Sequence, residues 1–249
     1  MEGLRISGAS LDRLRFSGCM LRDCHFNGTL FRRCTFERCT LEDFSLEECS
    51  LVKTAMDGGS FQSGKWSRVD APGIRMDHVR LQQVSMEESS FRKARFANLA
   101  GSALSIVHCE MDRSLWDQCN LREVSITASS GHKVRFDFGS FTGVSIRDSN
   151  FSRSRWEGLT LSDGEITECV FHRAHLQDIS LHRLNANQCD LRHLYALRIK
   201  AEAVTILTSQ MEGAWAVAAT LDGSVEPGDV ILRDINLVLD DNGTVRSLE

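Results

Sequence analysis

The sequence predicts an all-β chain wound as a four-sided parallel coil. Three observations carry this: an apolar residue recurs at every fifth position, like side chains recur at every twentieth, and the positions between are polar. The column starts at Ile6, runs through Leu11, Phe16, Leu21, Phe26 and Phe31, and keeps its phase to Ala196. Of its 39 positions, 34 are Ile, Leu, Met, Phe or Trp, and it takes 11 of the 13 Phe of the chain. A period of five is neither the 3.6 of a helix nor the 2 of a continued strand. The residue two before each member is also small or apolar, as at Cys24, Cys34, Val69, Val84, Leu104 and Val124. Two inward side chains flanking one outward one make a short extended piece, after which the chain must turn. Four such pieces close a square of 20 residues. Its second period is visible independently: Phe16, Phe36, Phe96, Trp116, Phe136 and Trp156 share one phase, and Leu21, Leu41, Leu81, Leu121, Leu161 and Leu181 another.

Taken in order, residues 1–200 make about ten coils, with no capping sequence ahead of the phase. The Ala71-Pro72-Gly73 turn, Gly101 and Gly131 lose core volume and are the expected bends. Residues 201–249 are expected to form a small C-terminal cap, although Ile206, Met211 and Leu221 keep phase. In it, 208–220 is helix-compatible through Ala and Met, and Ile235, Leu237 and Leu239 before the Asp-Asp-Asn-Gly turn at 240–243 read as a hairpin. This segment holds 9 acids and 2 bases, against 25 acids and 27 bases in residues 1–200. Trp215 is the candidate contact of a homodimer formed through it.

With 42% apolar and 25% charged residues and a net charge of −5, the composition is that of a globular chain and excludes a disordered one. No apolar run approaches the roughly 18 residues of a membrane span, and the first residues lack the basic-then-apolar layout of a secretory signal. The expected location is the cytoplasm, or the far side of a secretion route that reads no such signal.

Segments such as GSFTG (139–143), CTLED (39–43) and SNFSR (149–153) place a small residue, a polar one, then Leu or Phe and two polar residues. Through them the chain resembles the pentapeptide-repeat family over about residues 4–200. The resemblance implies that family's right-handed quadrilateral β-helix, and it brings non-catalytic bacterial effectors and scaffolds as the functional expectation. It also brings an alternative: quinolone-resistance members that present an acidic rod to a type II topoisomerase (gyrase) in place of DNA. Here Ser or Arg more often precedes the central residue than Asp or Asn, and the first inward position favours Cys or Val over Ala.

Nine Cys without a secretory signal invite a zinc or redox reading, but all nine fall in the first inward column while all eight His fall in outward columns. Thiols and imidazoles therefore face opposite sides of the wall and cannot share a metal or a catalytic dyad. Only Cys19/Cys39 and Cys169/Cys189 share a face in adjacent coils, and a reducing compartment is the simpler inference. No phosphate-binding loop, zinc-protease, nucleophile-elbow or EF-hand motif occurs. The expectation is no enzyme, no cofactor and no metal.

One outward feature stands out. Folding the sequence at 20 aligns Arg13, Arg33, Lys53, Lys93, Arg113, Lys133, Arg153 and Arg173 in a column whose other members are Gly73 and His193. Two residues on stand Arg15, Arg75, Arg95, Arg135 and Arg155, so 13 of the 29 basic residues line one edge. Stacked like charges repel, and an anion must compensate them. It is either internal, through Arg75/Asp77, Arg135/Asp137 and Arg155/Glu157, or external. The external candidates are a protein with an acidic surface and an anionic membrane. Nucleic acid is disfavoured because no outward aromatic column interleaves the charges.

Overall fold

In the computed structural model, which describes residues 1–217, 220–222 and 236–238, the five-residue phase becomes the wall of a parallel β-solenoid of about eleven turns. Every ladder is parallel, and up to Asp222 the strands pair at a step of 20: Phe16 faces Phe36, Leu121 faces Phe141 and Ala201 faces Leu221. Three sides of each turn hold regular strand. They run together in the 13-residue strands Ala55–Ser67, Leu115–Thr127, Arg135–Arg147 and Arg155–Thr167. The fourth side starts as the strands Ser10–Asp12, Leu30–Arg32 and Ser50–Val52, then thins to single bridges from Asp70 through Ser90 and Glu110 to Gln210.

Each corner is made the same way. From residue 3 to residue 213 every fifth residue has positive φ, 34 of them non-glycine at +47 to +59°. Left-handed backbone disfavours a branched Cβ most strongly, and Thr208 is the one β-branched residue in this column. On the fourth side the corner tightens into a hydrogen-bonded turn, with Ile74 N–H donating to Ala71 at 3.2 Å and Ser114 N–H to Met111 at 3.0 Å. A positive φ at its third residue is the signature of a type II turn.

The core is a set of internal stacks. Phe96, Trp116, Phe136 and Trp156 follow one another at centroid spacings of 4.2, 6.0 and 4.3 Å. The small inward column serves them: Ser114 and Ser154 accept the indole N–H of Trp116 at 3.2 Å and of Trp156 at 2.7 Å. At Trp66 the corresponding position is Gly64, and the buried indole N–H has no partner. A hydroxyl is excluded there because a Cβ on Gly64 would overlap the ring of Phe44 in the turn before.

Two expectations need correction. The helix expected over 208–220 is replaced by a turn at 211–214, the strand Trp215–Val217 and the strand Thr220–Asp222. Helix propensity yields to the preceding turn, whose open backbone edge pairs Tyr195 with Trp215 and Lys200 with Thr220. The coil therefore runs on past residue 200, to the strand Thr220–Asp222, and the rest of the expected cap lies outside the described residues apart from Asn236–Val238. Asn236–Val238 adds to Trp215–Val217 in parallel, at a step of 21, and the remainder of the expected hairpin lies outside the described residues. At Gly101, one of the expected bends, the ladder keeps its register, with Leu81, Gly101 and Leu121 paired in line. At Gly131 the ring of Phe151 moves into the space, 2.7 Å from where a Cβ would stand.

Ile6, Leu11 and Phe16 pack against the core but stay partly exposed, and Leu14 is 43% exposed.

Candidate interaction edge

The predicted basic edge is one physical corner, and it sorts into two columns with different fates. Its first column, Arg13 to Arg173, occupies the left-handed corner position, with φ of 52 to 58° at Lys53, Lys93, Arg113, Lys133, Arg153 and Arg173. From Lys93 on, each of these cations is the third residue of the tight turn. Its amide N–H is tied to the next turn: Lys93 to Asp112 at 2.9 Å, Arg113 to His132 at 3.0 Å and Lys133 to Ser152 at 3.0 Å. The backbone thus holds the cations in register, one per turn at about 4.8 Å, with Gly73 the gap.

The second column is largely neutralised. Arg15 pairs with Glu37, Arg135 with Asp137 at 2.5 Å, Arg155 with Glu157 at 2.7 Å, and Arg95 more loosely with Asp117 at 3.8 Å. The Arg15 guanidinium holds the Glu37 carboxyl below its ordinary range. The expected Arg75/Asp77 pair does not form. Asp77 instead faces His78 at 2.9 Å and accepts from Asn98 at 2.9 Å, because the next turn places a competing donor nearer than its own strand does.

In the corner column, only Arg13 has a carboxylate within 4 Å among the described residues, Asp12 at 3.9 Å. Two acids beside the column are engaged elsewhere. Asp112 accepts from Ser130 Oγ at 2.5 Å and His132 N–H at 2.9 Å, and Asp190 takes Arg192 at 2.7 Å. Internal compensation therefore reaches one column and leaves the other as unpaired positive charge. At the C-terminal end, Tyr195 and Trp215 continue the second column outward, 37% and 49% exposed.

The thiols lie where the period put them. All nine are free, eight are buried, and Cys19 in the incompletely covered turns is half-buried. Their S–H groups donate to backbone carbonyls, for example Cys49 to Phe26 at 3.3 Å. Burial pushes Cys109 up to about 11 and Cys119 and Cys169 up to about 12.

Two outward clusters escaped the sequence reading because their members stack across turns. Ser45 Oγ lies 2.7 Å from His25 Nδ1, and Asp23 lies 2.8 Å from Nε2, beside a surface depression of about 350 Å³ that Arg5 also lines. With its proton on Nε2, His25 donates to Asp23 and accepts from Ser45. A hydrolase would also need free donors for an oxyanion, and here the backbone N–H of His25 is spent on Leu4 and that of Ser45 on Cys24. Asp57, Asp77 and His78 bring three ligand atoms within 4.8 Å of one another on the outside of the wall. Stacked positions 20 apart were the signal for both clusters.

A rod whose interior is filled by its own side chains and whose outside is a set of columns is a solenoid repeat protein. A family model described as pentapeptide repeat region matches residues 9–91, and the same five-residue phase runs on through the later turns. No curated protein matches it. Among solved structures it is similar to HetL, a pentapeptide repeat protein involved in heterocyst differentiation regulation from the cyanobacterium Nostoc, at 10% identity over 98% of this chain and 92% of that one, with a TM-score of 0.36. Trypsin-treated QnrB1, a plasmid-mediated fluoroquinolone resistance protein, is similar at 15% identity over 82% and 90%, with a TM-score of 0.42. The periplasmic alginate epimerase AlgG is similar at 8% identity over 90% and 72%, with a TM-score of 0.43.

Proposed function

We propose that the chain is a non-catalytic interaction scaffold of the bacterial effector or adaptor kind, which holds a protein partner against the outer faces of the rod. The observation that carries this reading is the division of side chains by the wall. Inward columns fill each turn, and outward columns repeat one small polar side chain per turn, as in Ser105, Ser125 and Ser145 on one side and Ser140, Thr160 and Ser180 on another. Such a surface is rigid before a partner arrives, so little side-chain entropy is lost on binding. Beside the Ser45, His25 and Asp23 arrangement, the backbone N–H groups of His25 and Ser45 are both bonded to the wall, which favours a non-catalytic role. The reading as a DNA mimic needs sustained negative charge, and Glu37, Asp117, Asp137 and Glu157 are paired with arginines. Nine unpaired thiols suit a reducing compartment, so we place the protein in the cytoplasm or in a cytosol reached by a signal-independent secretion route.

The test is capture of a protein by the whole chain, with a gyrase supercoiling assay and a fluorophosphonate label beside it. Expected are a saturable complex weakened by Ser125→Arg with Ser145→Arg, unchanged supercoiling, and no label on Ser45. Inhibited supercoiling would replace this reading with the topoisomerase one, and a labelled Ser45 would replace it with catalysis.

A further inference from the structure

We propose that the corner carrying the row from Arg33 to Arg173 is a membrane-docking edge, which lays the rod along an anionic phospholipid surface with Tyr195 and Trp215 in the headgroup layer. It deepens the scaffold reading by assigning this edge, leaving the flat hydroxyl sides to a protein partner.

Three independent features meet at this corner. The first is charge: the row carries no carboxylate within 4 Å from Arg33 onward among the described residues, and the adjacent acids Asp112 and Asp190 are bonded to other groups. Unpaired cations in a row repel one another, and an external anion relieves that repulsion. The second is shape. Seven turn-to-turn steps separate Arg33 from Arg173, about 34 Å at about 4.8 Å per turn, all in the same 20-residue register. An outward corner of that length meets an extended plane over many turns, whereas it touches the curved surface of a folded acidic protein over a part only. Duplex DNA winds its phosphates away from such a line within half a turn.

The third feature is aromatic. Tyr195 and Trp215 stand one above the other on the same corner and outside the core, although every other Trp of the chain is buried. Tyr and Trp beside Lys and Arg form the side-chain set that sits at a bilayer interface. The contact is peripheral, since no helix among the described residues is long and apolar enough to cross a membrane. Each Lys or Arg near an anionic leaflet adds attraction that salt screens, so the row acts as a sum of weak contacts.

The experiment is cosedimentation of the full chain with vesicles of phosphatidylcholine alone and of phosphatidylcholine mixed with phosphatidylglycerol. Brominated lipid serves as a fluorescence quencher. Because Trp66, Trp116 and Trp156 are buried, quenching at the surface reads Trp215. Expected are binding to the phosphatidylglycerol vesicles only, loss of that binding in high salt, and quenching of Trp215. Arg113→Glu with Lys133→Glu should reduce the partition coefficient by about a hundredfold or more, with the melting temperature unchanged.

Equal binding to both vesicles would overturn the proposal, as would wild-type partition of the double variant or an unquenched Trp215 in the bound state. A chain that binds poly-glutamate or duplex DNA but leaves phosphatidylglycerol vesicles in suspension would move the edge to an acidic protein or to nucleic acid. A dimer in sedimentation that hides Trp215 would also defeat it. Failure on vesicles with protein capture intact refutes the docking edge alone, while loss of capture with vesicle binding intact refutes the scaffold.

Discussion

Raising the pH should unfold this protein through its own interior. Cys109, Cys119 and Cys169 are at most 2% exposed, and burial holds their thiols protonated up to about 11, 12 and 12. An unfolded thiol titrates near 8.5, to within about a unit. Below that pH both states keep the proton and the thiols favour neither. Above it the unfolded chain releases protons that the folded chain retains, so stability falls with rising pH until the buried groups themselves ionise. One unit above the unfolded value, each thiol removes about 1.4 kcal/mol, and the three together about 4 kcal/mol. Cys39, Cys49 and Cys189 are raised as well, by burial before any other cause, and act in the same direction.

The assay is urea unfolding followed by far-ultraviolet circular dichroism at about pH 7.5 and about pH 9.5. Its comparison is a variant with Cys109→Ala, Cys119→Ala and Cys169→Ala. The wild type should lose stability between the two conditions, and the variant should lose about 4 kcal/mol less. A bulky maleimide applied to the native protein should reach Cys19 and spare the other eight thiols, which are buried. A wild type equally stable at both pH values, an equal loss in the variant, or rapid native labelling of Cys119 would refute the inward wall.

Two further outcomes follow from the packing. Gly101 has φ +152° and a Cβ there would overlap the backbone carbonyl of Leu81, whereas at Gly131 the neighbour is the movable Phe151 ring; Gly101→Ala should cost about 3 kcal/mol and Gly131→Ala about 1 kcal/mol in denaturant unfolding, and equal costs would contradict the geometry. Gly64→Ser should destabilise by about 1–3 kcal/mol through the Phe44 ring, and combining it with Phe44→Ala should recover part of that loss by admitting a hydroxyl to Trp66. Strict additivity in this double-mutant cycle would remove the account of the unpaired indole.

How much of this could be read beforehand differs by feature. The inward columns were legible because burial on every turn demands apolar residues at a constant spacing, and a single slip would expose Phe96, Trp116 and Phe136 together. The left-handed corners were legible only in retrospect: that column holds Arg, Asp, Glu, Lys and Gly and almost no β-branched residue, an absence that is easily overlooked among polar positions. The continuation past residue 200 was obscured because Ala-rich 208–220 satisfies helix propensity as well as the five-residue phase, and only the open edge at Tyr195 and Lys200 selects the strand.

By itself the sequence determined that the chain winds as a four-sided coil, which side chains line it, and that thiols and imidazoles lie on opposite sides of the wall. These follow from one period, and a period is a property of the chain read along its length. Only the tertiary structure decided which charges remain unpaired. Arg15 reaches Glu37 22 residues away and Asn98 takes Asp77 from 21 away. Such pairings are settled by competition among side chains of adjacent turns at a corner, where reach and angle matter and spacing along the chain does not distinguish one partner from another.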